Sequence, residues 1–284
     1  MRAEFKEKTY EKYFGHELAR LTNVTFSPDQ VDEGILGFDE AFLLPEYWLW
    51  RLAPYVRRGR RHRFFGVPPV EFDRIFGELS SHLPPFRFNL FVQYKRPEYI
   101  RSRSSTEWEN WRKPYYRYDV TPHQQAILEK IETQSHNRAA TVYASPAFWT
   151  SNDLFRHAQA QAVTSNSNIV SVGRLNGHGR YTYAQAGFQG KAHSEATDIE
   201  SQAISTIVAN GLENRGSPLG QNLKEIAKLI LTTVQSADTF LSVFQDALVA
   251  IQSVELPEDS VAGAIATIEA FSDAFGVSYW AFGK

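Results

Sequence analysis

The stretch FNLFVQYKRP (88–97) decides the fold that the sequence encodes. It opens with an almost continuous apolar run, which is typical of a strand buried in a sheet. Polar side chains then enter at Gln93 and Lys95, just before a proline ends the strand. Because side chains alternate between the two faces of a strand, Gln93 and Lys95 share one face and Tyr94 takes the other. The sequence therefore predicts a core strand that ends with two polar groups on one side.

Helix and strand patterns alternate on both sides of this strand. Upstream, the sequence predicts a helix over residues 9–21 with Thr9 as its cap, and a strand over residues 35–44 that carries Asp39. Downstream, the predicted elements are a helix at 121–132, a strand at 139–148, a helix at 151–162 capped by Ser151 or Asn152, and a strand at 168–174. The pattern is typical of an α/β protein.

Three connecting segments interrupt this alternation. Residues 45–87 contain prolines, an arginine cluster and one short helical piece, and we predict that they form an insertion between strands. Residues 96–120 are predicted to be a polar, aromatic loop in which arginines are interleaved with tryptophan and tyrosine. The glycine-rich residues 177–193 predict a hairpin or a surface loop.

The hydrophobic pattern changes near residue 198. From there four helical patterns follow one another, and strand-like composition returns only in VSYWAF (277–282). We therefore predict two domains, an α/β domain over residues 1–197 that includes the 45–87 insertion, and a helical region over residues 198–284. The apolar stripes of the helical region favour mutual burial in a bundle, and they could also dock a partner or a second copy of the chain.

The composition excludes several classes of function. The 284 residues include no cysteine, so disulfides, thiolate zinc sites and a cysteine nucleophile are excluded. The charged N-terminus lacks the apolar core of a signal peptide, and no stretch approaches the roughly 18 apolar residues of a membrane span. We therefore expect a cytoplasmic protein without a membrane segment.

The polar end of the central strand could carry chemistry together with Asp39. If the strands over 35–44 and 88–95 are neighbours, a carboxylate, an amide oxygen and an ammonium group would meet at a strand end. Mg²⁺ prefers oxygen ligands, so one or two carboxylates, the carbonyl of Gln93 and a substrate phosphate would suffice. Lys95 beside that ion could orient or deprotonate the attacking water and stabilise the developing charge.

These residues resemble the motif of the PD-(D/E)XK nuclease superfamily, which has the restriction-endonuclease-like fold. The matching segments are a glutamate-bearing helix (YEKYFGHELARL, 10–21), a Gly-x-Asp strand (GFD, 37–39) and a Gln-x-Lys strand end (QYK, 93–95). The resemblance covers roughly residues 9–175. It implies a mixed central sheet flanked by helices, and cleavage of DNA phosphodiesters with Mg²⁺, or Mn²⁺ as the alternative ion.

The resemblance also implies roles for individual residues. Asp39 would be the metal carboxylate, Gln93 would occupy the second ligand position, and Lys95 would be the catalytic lysine. A glutamate on the first helix would support the site. Glu11 matches the position in the family pattern better, whereas Glu17 lies closer to the apolar stripe by helical geometry, so Glu11 is preferred and Glu17 is the alternative.

Arginines are concentrated in one segment although the net charge is only −2. Residues 51–65 contain six arginines and no acidic residue, a density that suits phosphate binding as well as a solvated loop. The predicted DNA contacts are Arg57, Arg58, Arg60, Arg61 and Arg63 in this cluster, and Arg96, Arg101 and Arg103 beyond the central strand. The interleaved arginine and aromatic side chains of residues 101–117 fit a DNA-facing loop or an aromatic core beneath a long loop.

Two functions therefore remain open at the level of sequence. The first is a Mg²⁺-dependent DNA endonuclease or nickase. A nuclease core with an extra helical region resembles the effector subunits of bacterial anti-phage defence, which implies a partner such as an ATPase, helicase or sensor, or self-association. The second is a non-catalytic subunit on the same fold that binds nucleic acid or a partner.

Overall fold

The structure is a computed structural model that describes residues 1–28, 69–235, 244, 246 and 260–284. Within these residues the chain forms two sheets and eight α-helices, so it is an α/β protein. The chain divides into two compact units. Unit one comprises residues 1–21, 92–133 and 140–207, and unit two comprises residues 22–91, 134–139 and 208–284.

Ten strands build the two sheets. The first sheet has the order β1-β10-β2-β5-β6 and the second has the order β3-β4-β7-β8-β9. The strands are β1 (Val24–Phe26), β2 (Phe86–Tyr94), β3 (Glu98–Ile100), β4 (Tyr115–Asp119), β5 (Ala139–Pro146), β6 (Ser167–Ser171), β7 (Arg180–Tyr183), β8 (Gln189–His193), β9 (Thr197–Glu200) and β10 (Ser278–Gly283).

The helices lie between the strands and in the C-terminal part of the chain. They are α1 (Glu7–Leu18), α2 (Pro69–Ser80), α3 (Trp108–Trp111), α4 (Pro122–Gln134), α5 (Ser151–Gln159), α6 (Ile204–Gly211), α7 (Leu219–Gln235) and α8 (Val261–Phe275). A short 3₁₀ helix (Val172–Leu175) follows β6.

Strand β2 is the central strand that the sequence predicts. Every residue of β2 except Arg87 is buried, in agreement with its apolar composition. Its Asn89 N–H donates to Arg138 O, and the N–H of Lys95 donates to Ala144 O. From the first bond to the second, the donor and the acceptor both move towards the C-terminus. Strands β2 and β5 therefore run parallel. Strand β6 then pairs with β5 in the antiparallel direction, so the first sheet is mixed.

In unit two, an aromatic and amide core joins strands to the C-terminal helices. Phe91 contacts Phe271 of α8 and Tyr279 of β10, with ring centroids 5.7 and 5.3 Å apart. Asn89 and Asn222 exchange side-chain hydrogen bonds of 3.1 and 2.7 Å, and the Tyr279 hydroxyl donates to Asn89 at 2.6 Å. Each buried amide is therefore satisfied by polar partners from other elements.

In unit one, the second sheet is antiparallel and carries a layer of tyrosines on one face. Tyr116 stacks with Tyr183 at 5.3 Å, and Tyr118 lies 5.5 Å from Tyr181. All four are buried. The registers Arg117↔Thr182 and Asp119↔Arg180 place the charged residues of β4 and β7 on the opposite face.

The buried carboxylate of Glu107 binds the arginines of that charged face. Glu107, whose side chain is 4% exposed, accepts hydrogen bonds from Arg180 at 2.7 Å and from Arg117 at 3.2 Å. Two hydroxyls also donate to it, Tyr115 at 2.8 Å and Ser105 at 3.2 Å. These four donors stabilise the ionised carboxylate in a buried position.

Several expectations from the sequence are wrong in detail. Residues 96–120 are not one loop, because β3, α3 and β4 form within them. Tyr115, Tyr116 and Tyr118 are buried in the second sheet, which confirms for these residues the alternative of an aromatic core. Strand β4 mixes aromatic and charged residues, and such a composition is also typical of a polar loop. The sequence does not distinguish the two, because the partner strands of β4 are not visible in it.

Two helix caps also differ from the predictions. Thr9 lies inside α1, which begins at Glu7 with Lys6 at the N-cap position. Helix α5 is capped by Thr150, whose hydroxyl accepts the N–H of Asp153 at 3.1 Å, and not by Ser151 or Asn152. Both helices begin earlier than expected, because propensity fixes a helix boundary less well than the local hydrogen bonds do.

The predicted domain boundary at residues 197 and 198 stays a prediction. The compact units are interleaved along the chain, and unit one continues to Ile207. Helices α6, α7 and α8 lie in the predicted helical region, and β10 forms where VSYWAF indicated a strand. The predicted strand over residues 35–44 and most of the predicted 45–87 insertion lie outside the described residues.

Candidate active site at the end of strand β2

The two faces of β2 contact different helices at its C-terminal end. Tyr94 packs against α1, with ring centroids 5.7 Å from Tyr10 and 5.4 Å from Phe14. On the other face, the amide of buried Gln93 donates to Gln124 of α4 at 2.9 Å. The strand therefore presents Gln93 and Tyr94 in opposite directions, as alternation requires.

Lys95 follows β2 directly and is partly buried. Its backbone N–H donates to Ala144 O, and its carbonyl accepts a hydrogen bond from the Ser145 hydroxyl at 3.1 Å, so the backbone at this position is fixed to β5. The Nζ atom lies 5.1 Å from the centre of the Tyr143 ring, within the range of a cation–π contact.

The environment of Lys95 changes its acidity. Burial lowers the pKa of Lys95 below its ordinary value, and the negative charges of Glu7 and Asp119 partly offset that effect. Desolvation disfavours the charged form of an amine, whereas nearby carboxylates favour it. Lys95 therefore gives up its proton more readily than an exposed lysine does.

Glu7 is a carboxylate at this strand end that the sequence did not single out. Burial of its carboxyl group raises the pKa of Glu7, although the residue as a whole is exposed. The charge of Lys95 and a hydrogen bond from the backbone N–H of Arg96 act in the opposite direction. Glu7 lies four residues before Glu11 on α1, and this spacing was the only signal for it in the sequence.

The two glutamates proposed from the sequence have different surroundings. Glu11 is buried on α1 and forms an ion pair of 3.3 Å with Lys8. Glu17 accepts hydrogen bonds from the N–H groups of Val163 and Thr164 at 2.7 and 2.8 Å, and from the Thr164 hydroxyl at 2.7 Å. The carboxylate of Glu17 is therefore committed to the turn after α5, and the choice between Glu11 and Glu17 stays a prediction.

The remaining predicted site residues are placed only in part. Asp39 and the arginines of the 51–65 cluster, Arg57, Arg58, Arg60, Arg61 and Arg63, lie outside the described residues. The guanidinium of Arg96 donates to Ala3 O at 2.9 Å, so this side chain ties the N-terminus to the end of β2. Arg101 and Arg103 are exposed.

Asp119 and Tyr143 are further site neighbours that sequence reasoning missed. Asp119 ends β4, a strand that was expected to be loop, and it acts electrostatically on Lys95. Tyr143 lies on β5 and donates its hydroxyl to Gln125 at 2.6 Å. No local pattern indicates that either residue meets Lys95, because the contact depends on strand pairing.

Oxygen ligands suited to a hard cation occur among the predicted site residues. The carboxylate of Glu11 and the amide oxygen of Gln93 are ligands that Mg²⁺ accepts. Helix α1, which carries Glu11, and the Gln93 side chain lie on opposite sides of β2, because Tyr94 faces α1 and Gln93 faces Gln124 of α4. Over the described ranges, no group of three or more His, Asp or Glu side chains is arranged to hold a metal ion. Because Asp39 lies outside those ranges, the predicted ligand set stays a prediction.

Comparisons with known proteins do not assign the chain to a family. No protein-family model matches the sequence, and neither the curated proteins nor the solved structures contain a significant match to it. In the part of the chain that the structure describes, no helix has both the length and the apolar character needed to cross a membrane.

Proposed function

We propose that this chain is a Mg²⁺-dependent endonuclease or nickase of DNA, built on a restriction-endonuclease-like fold. The observation that carries the proposal is Lys95, a partly buried lysine with a lowered pKa at the end of the central strand. A lysine at that position, two residues after a potential oxygen ligand, is what hydrolysis of a phosphodiester by this motif requires.

Lys95 would act on the attacking water. An amine with a lowered pKa is neutral in a larger fraction of molecules near neutral pH, so more of it is available to accept a proton from the attacking water. After that transfer the ammonium group stabilises the negative charge that develops on the phosphate. Glu7 and Asp119 keep the charged form accessible, so the group can pass between both states.

Asp39, Gln93 and Glu11 would hold the Mg²⁺ ion, with Mn²⁺ as the alternative. When bound, such an ion supplies Lewis-acid activation of the phosphate and stabilises its charge. The arginines of the 51–65 cluster, with Arg101 and Arg103, would bind the DNA backbone. We further propose that the chain is a regulated effector in anti-phage defence, controlled by an ATPase, helicase or sensor or by self-association, and this part rests on the resemblance alone.

Cleavage of supercoiled plasmid with Mg²⁺ or Mn²⁺ tests the site. We expect Lys95→Met and Asp39→Asn to lower the nicking rate by about 10²-fold or more, the scale of a lost general base or metal ligand. Lys191→Met is the matched control, because Lys191, on β8, is also a lysine near an aromatic ring, 5.7 Å from the centre of Trp111. Equal cleavage by wild type and Lys95→Met would refute the assignment.

One contact favours the alternative of a non-catalytic subunit. The Gln93 amide is bound to Gln124 of α4, so this side chain also has a structural partner. This alternative predicts binding of DNA that weakens with salt, without cleavage in either metal ion. Nicking by wild-type protein that is lost in Lys95→Met would exclude it.

A further inference from the structure

A groove lies between α1 and α5 in unit one, on surfaces that the proposed active site does not use. Its cavity has a volume of about 370 Å³, and the residues that matter to its chemistry are Tyr13, His16, Arg20, Phe155, Gln159 and Gln161. We call it the α1–α5 groove. Its size is near the lower end of the roughly 300–1,000 Å³ of typical ligand sites, which suits one nucleotide and not a duplex.

An aromatic pair with one exposed ring, that of Phe155, lies in the groove. Phe155 is 49% exposed, unusual for a large apolar side chain, and its ring meets the ring of Tyr13 at 6.1 Å and an interplanar angle of 89°. The edge-to-face contact holds Phe155 in place while leaving about half of its surface available. An aromatic surface of this kind can stack against a nucleobase of any sequence.

Basic side chains lie along one side of the groove. His16 and Arg20 line it, and Lys12 lies one helical turn before His16 on α1; all three are exposed. In the described part of the chain none of the three forms an ion pair, whereas Arg156 on α5 pairs with Asp153 at 2.7 Å. Lysine and arginine side chains beside an aromatic ring complement a phosphate backbone and its bases.

The one carboxylate that lines the groove is already satisfied. Glu17 accepts two backbone N–H groups and the Thr164 hydroxyl, all within 2.8 Å. These three donors occupy acceptor positions of the carboxylate, and in the described part of the chain it forms no ion pair with the basic side chains of the groove.

Gln161 reaches the groove from a strained backbone position. Its φ angle is 52°, in the left-handed region that glycine adopts without cost and most other residues avoid. Glycine adopts this φ without strain, whereas glutamine at this position lines the groove at some cost in stability. With Gln159 it supplies donors and acceptors that match the edges of bases.

We propose that the α1–α5 groove binds one nucleotide of a single-stranded nucleic acid. The base stacks on Phe155, its phosphates contact His16 and Arg20, and the amides of Gln159 and Gln161 contact the base edge. This proposal does not depend on nuclease activity, because none of these residues belongs to the site at Lys95.

Fluorescence anisotropy with labelled 12-mers of DNA and of RNA, in buffer without divalent metal, tests the proposal. We expect Phe155→Leu to weaken binding about fivefold or more, the smaller end of the range for loss of one stacked base. Arg20→Gln should weaken binding and lower the slope of log affinity against log salt by about one unit. Arg156→Gln is the matched control and should bind as wild type does.

Further variants separate binding from folding and from catalysis. Gln161→Gly should weaken binding while the melting temperature stays equal or rises, because the strain at φ 52° is relieved. The binding assay contains no divalent metal and requires no cleavage, so failure of the nuclease proposal leaves this one standing. Comparing the DNA and RNA 12-mers identifies which nucleic acid is preferred. Unchanged binding in Phe155→Leu and Arg20→Gln, or equal competition by a poly-glutamate peptide, would overturn the proposal.

Discussion

At the scale of single residues, Glu107 shows how a buried charge is stabilised. Burial alone would raise the pKa of this carboxyl group, but the hydrogen bonds from Arg180 and Tyr115 outweigh it and lower the pKa to about 2. A carboxylate with a depressed pKa stabilises the fold above its unfolded pKa of about 4.5, and this contribution is lost as pH falls towards 2.

Replacing Glu107 by glutamine should therefore destabilise the protein in a pH-dependent way. We expect Glu107→Gln to lower the free energy of unfolding by about 2–3 kcal/mol at pH 7, because Arg117 and Arg180 lose a charged acceptor. The difference should shrink between pH 4.5 and pH 2. Urea titrations at several pH values measure it.

Glu109 provides the control for this experiment. It lies two residues away, but its pair with Arg112 has both side chains 81% exposed. Exposed pairs contribute little, so Glu109→Gln should change stability by less than about 0.5 kcal/mol at any of these pH values. A similar loss of unfolding free energy in both variants would show that the buried network stabilises the fold no more than the exposed pair does.

At the scale of elements, α8 begins with two caps from different parts of the chain. The Ser260 hydroxyl accepts the N–H of Gly263 at 2.9 Å. The carboxylate of Asp73, on α2, accepts the N–H groups of Val261 and Ala262 at 3.1 and 3.2 Å. A negative charge at a helix N-terminus is also favoured by the helix dipole.

Removing the Asp73 cap should weaken α8. We expect Asp73→Ala to lower the free energy of unfolding by about 1–2 kcal/mol, the usual effect of a lost cap with charge. Thermal unfolding followed by circular dichroism measures the change. Glu78→Ala on the same helix removes only a surface pair with Arg74 and should leave the melting temperature nearly unchanged.

Local patterns predicted the elements whose burial is visible in their own sequence. Strand β2 could be recognised because most of its side chains are apolar and all but Arg87 are buried, and α4 because Pro122 opens it. Strand β4 could not, because YYRYD buries tyrosines against partners that the local sequence does not reveal. The same limit applies to the site, where Gln93 and Lys95 were recognisable but Glu7 and Asp119 were not.

At the scale of the whole molecule, each compact unit is built from segments that are far apart in the sequence. Strand β10, near the C-terminus, stands between β1 and β2 in the first sheet. It pairs with β1 in the register Val24↔Gly283, and all six of its residues are buried. The C-terminal segment is therefore part of the core of unit two.

Deleting residues 277–284 should abolish cooperative unfolding. The deletion removes Tyr279 and Phe282, with their contacts to Phe91 and Phe88, and leaves two strands without their shared neighbour. Differential scanning calorimetry measures the transition. Deletion of exposed Lys284 alone is the control and should keep it. A sharp transition near the wild-type temperature in the longer deletion would contradict this view of β10.

The position of β10 also affects how the chain folds while it is being made. The Ser27 hydroxyl donates to Tyr279 O across 252 residues of sequence. At translation rates of about 5–20 residues per second, β1 leaves the ribosome on the order of 10–50 s before its partner strand exists. During that interval the nascent chain holds apolar strand edges without their pairing partner. We expect its yield in cells to depend on chaperones that bind such segments until synthesis ends.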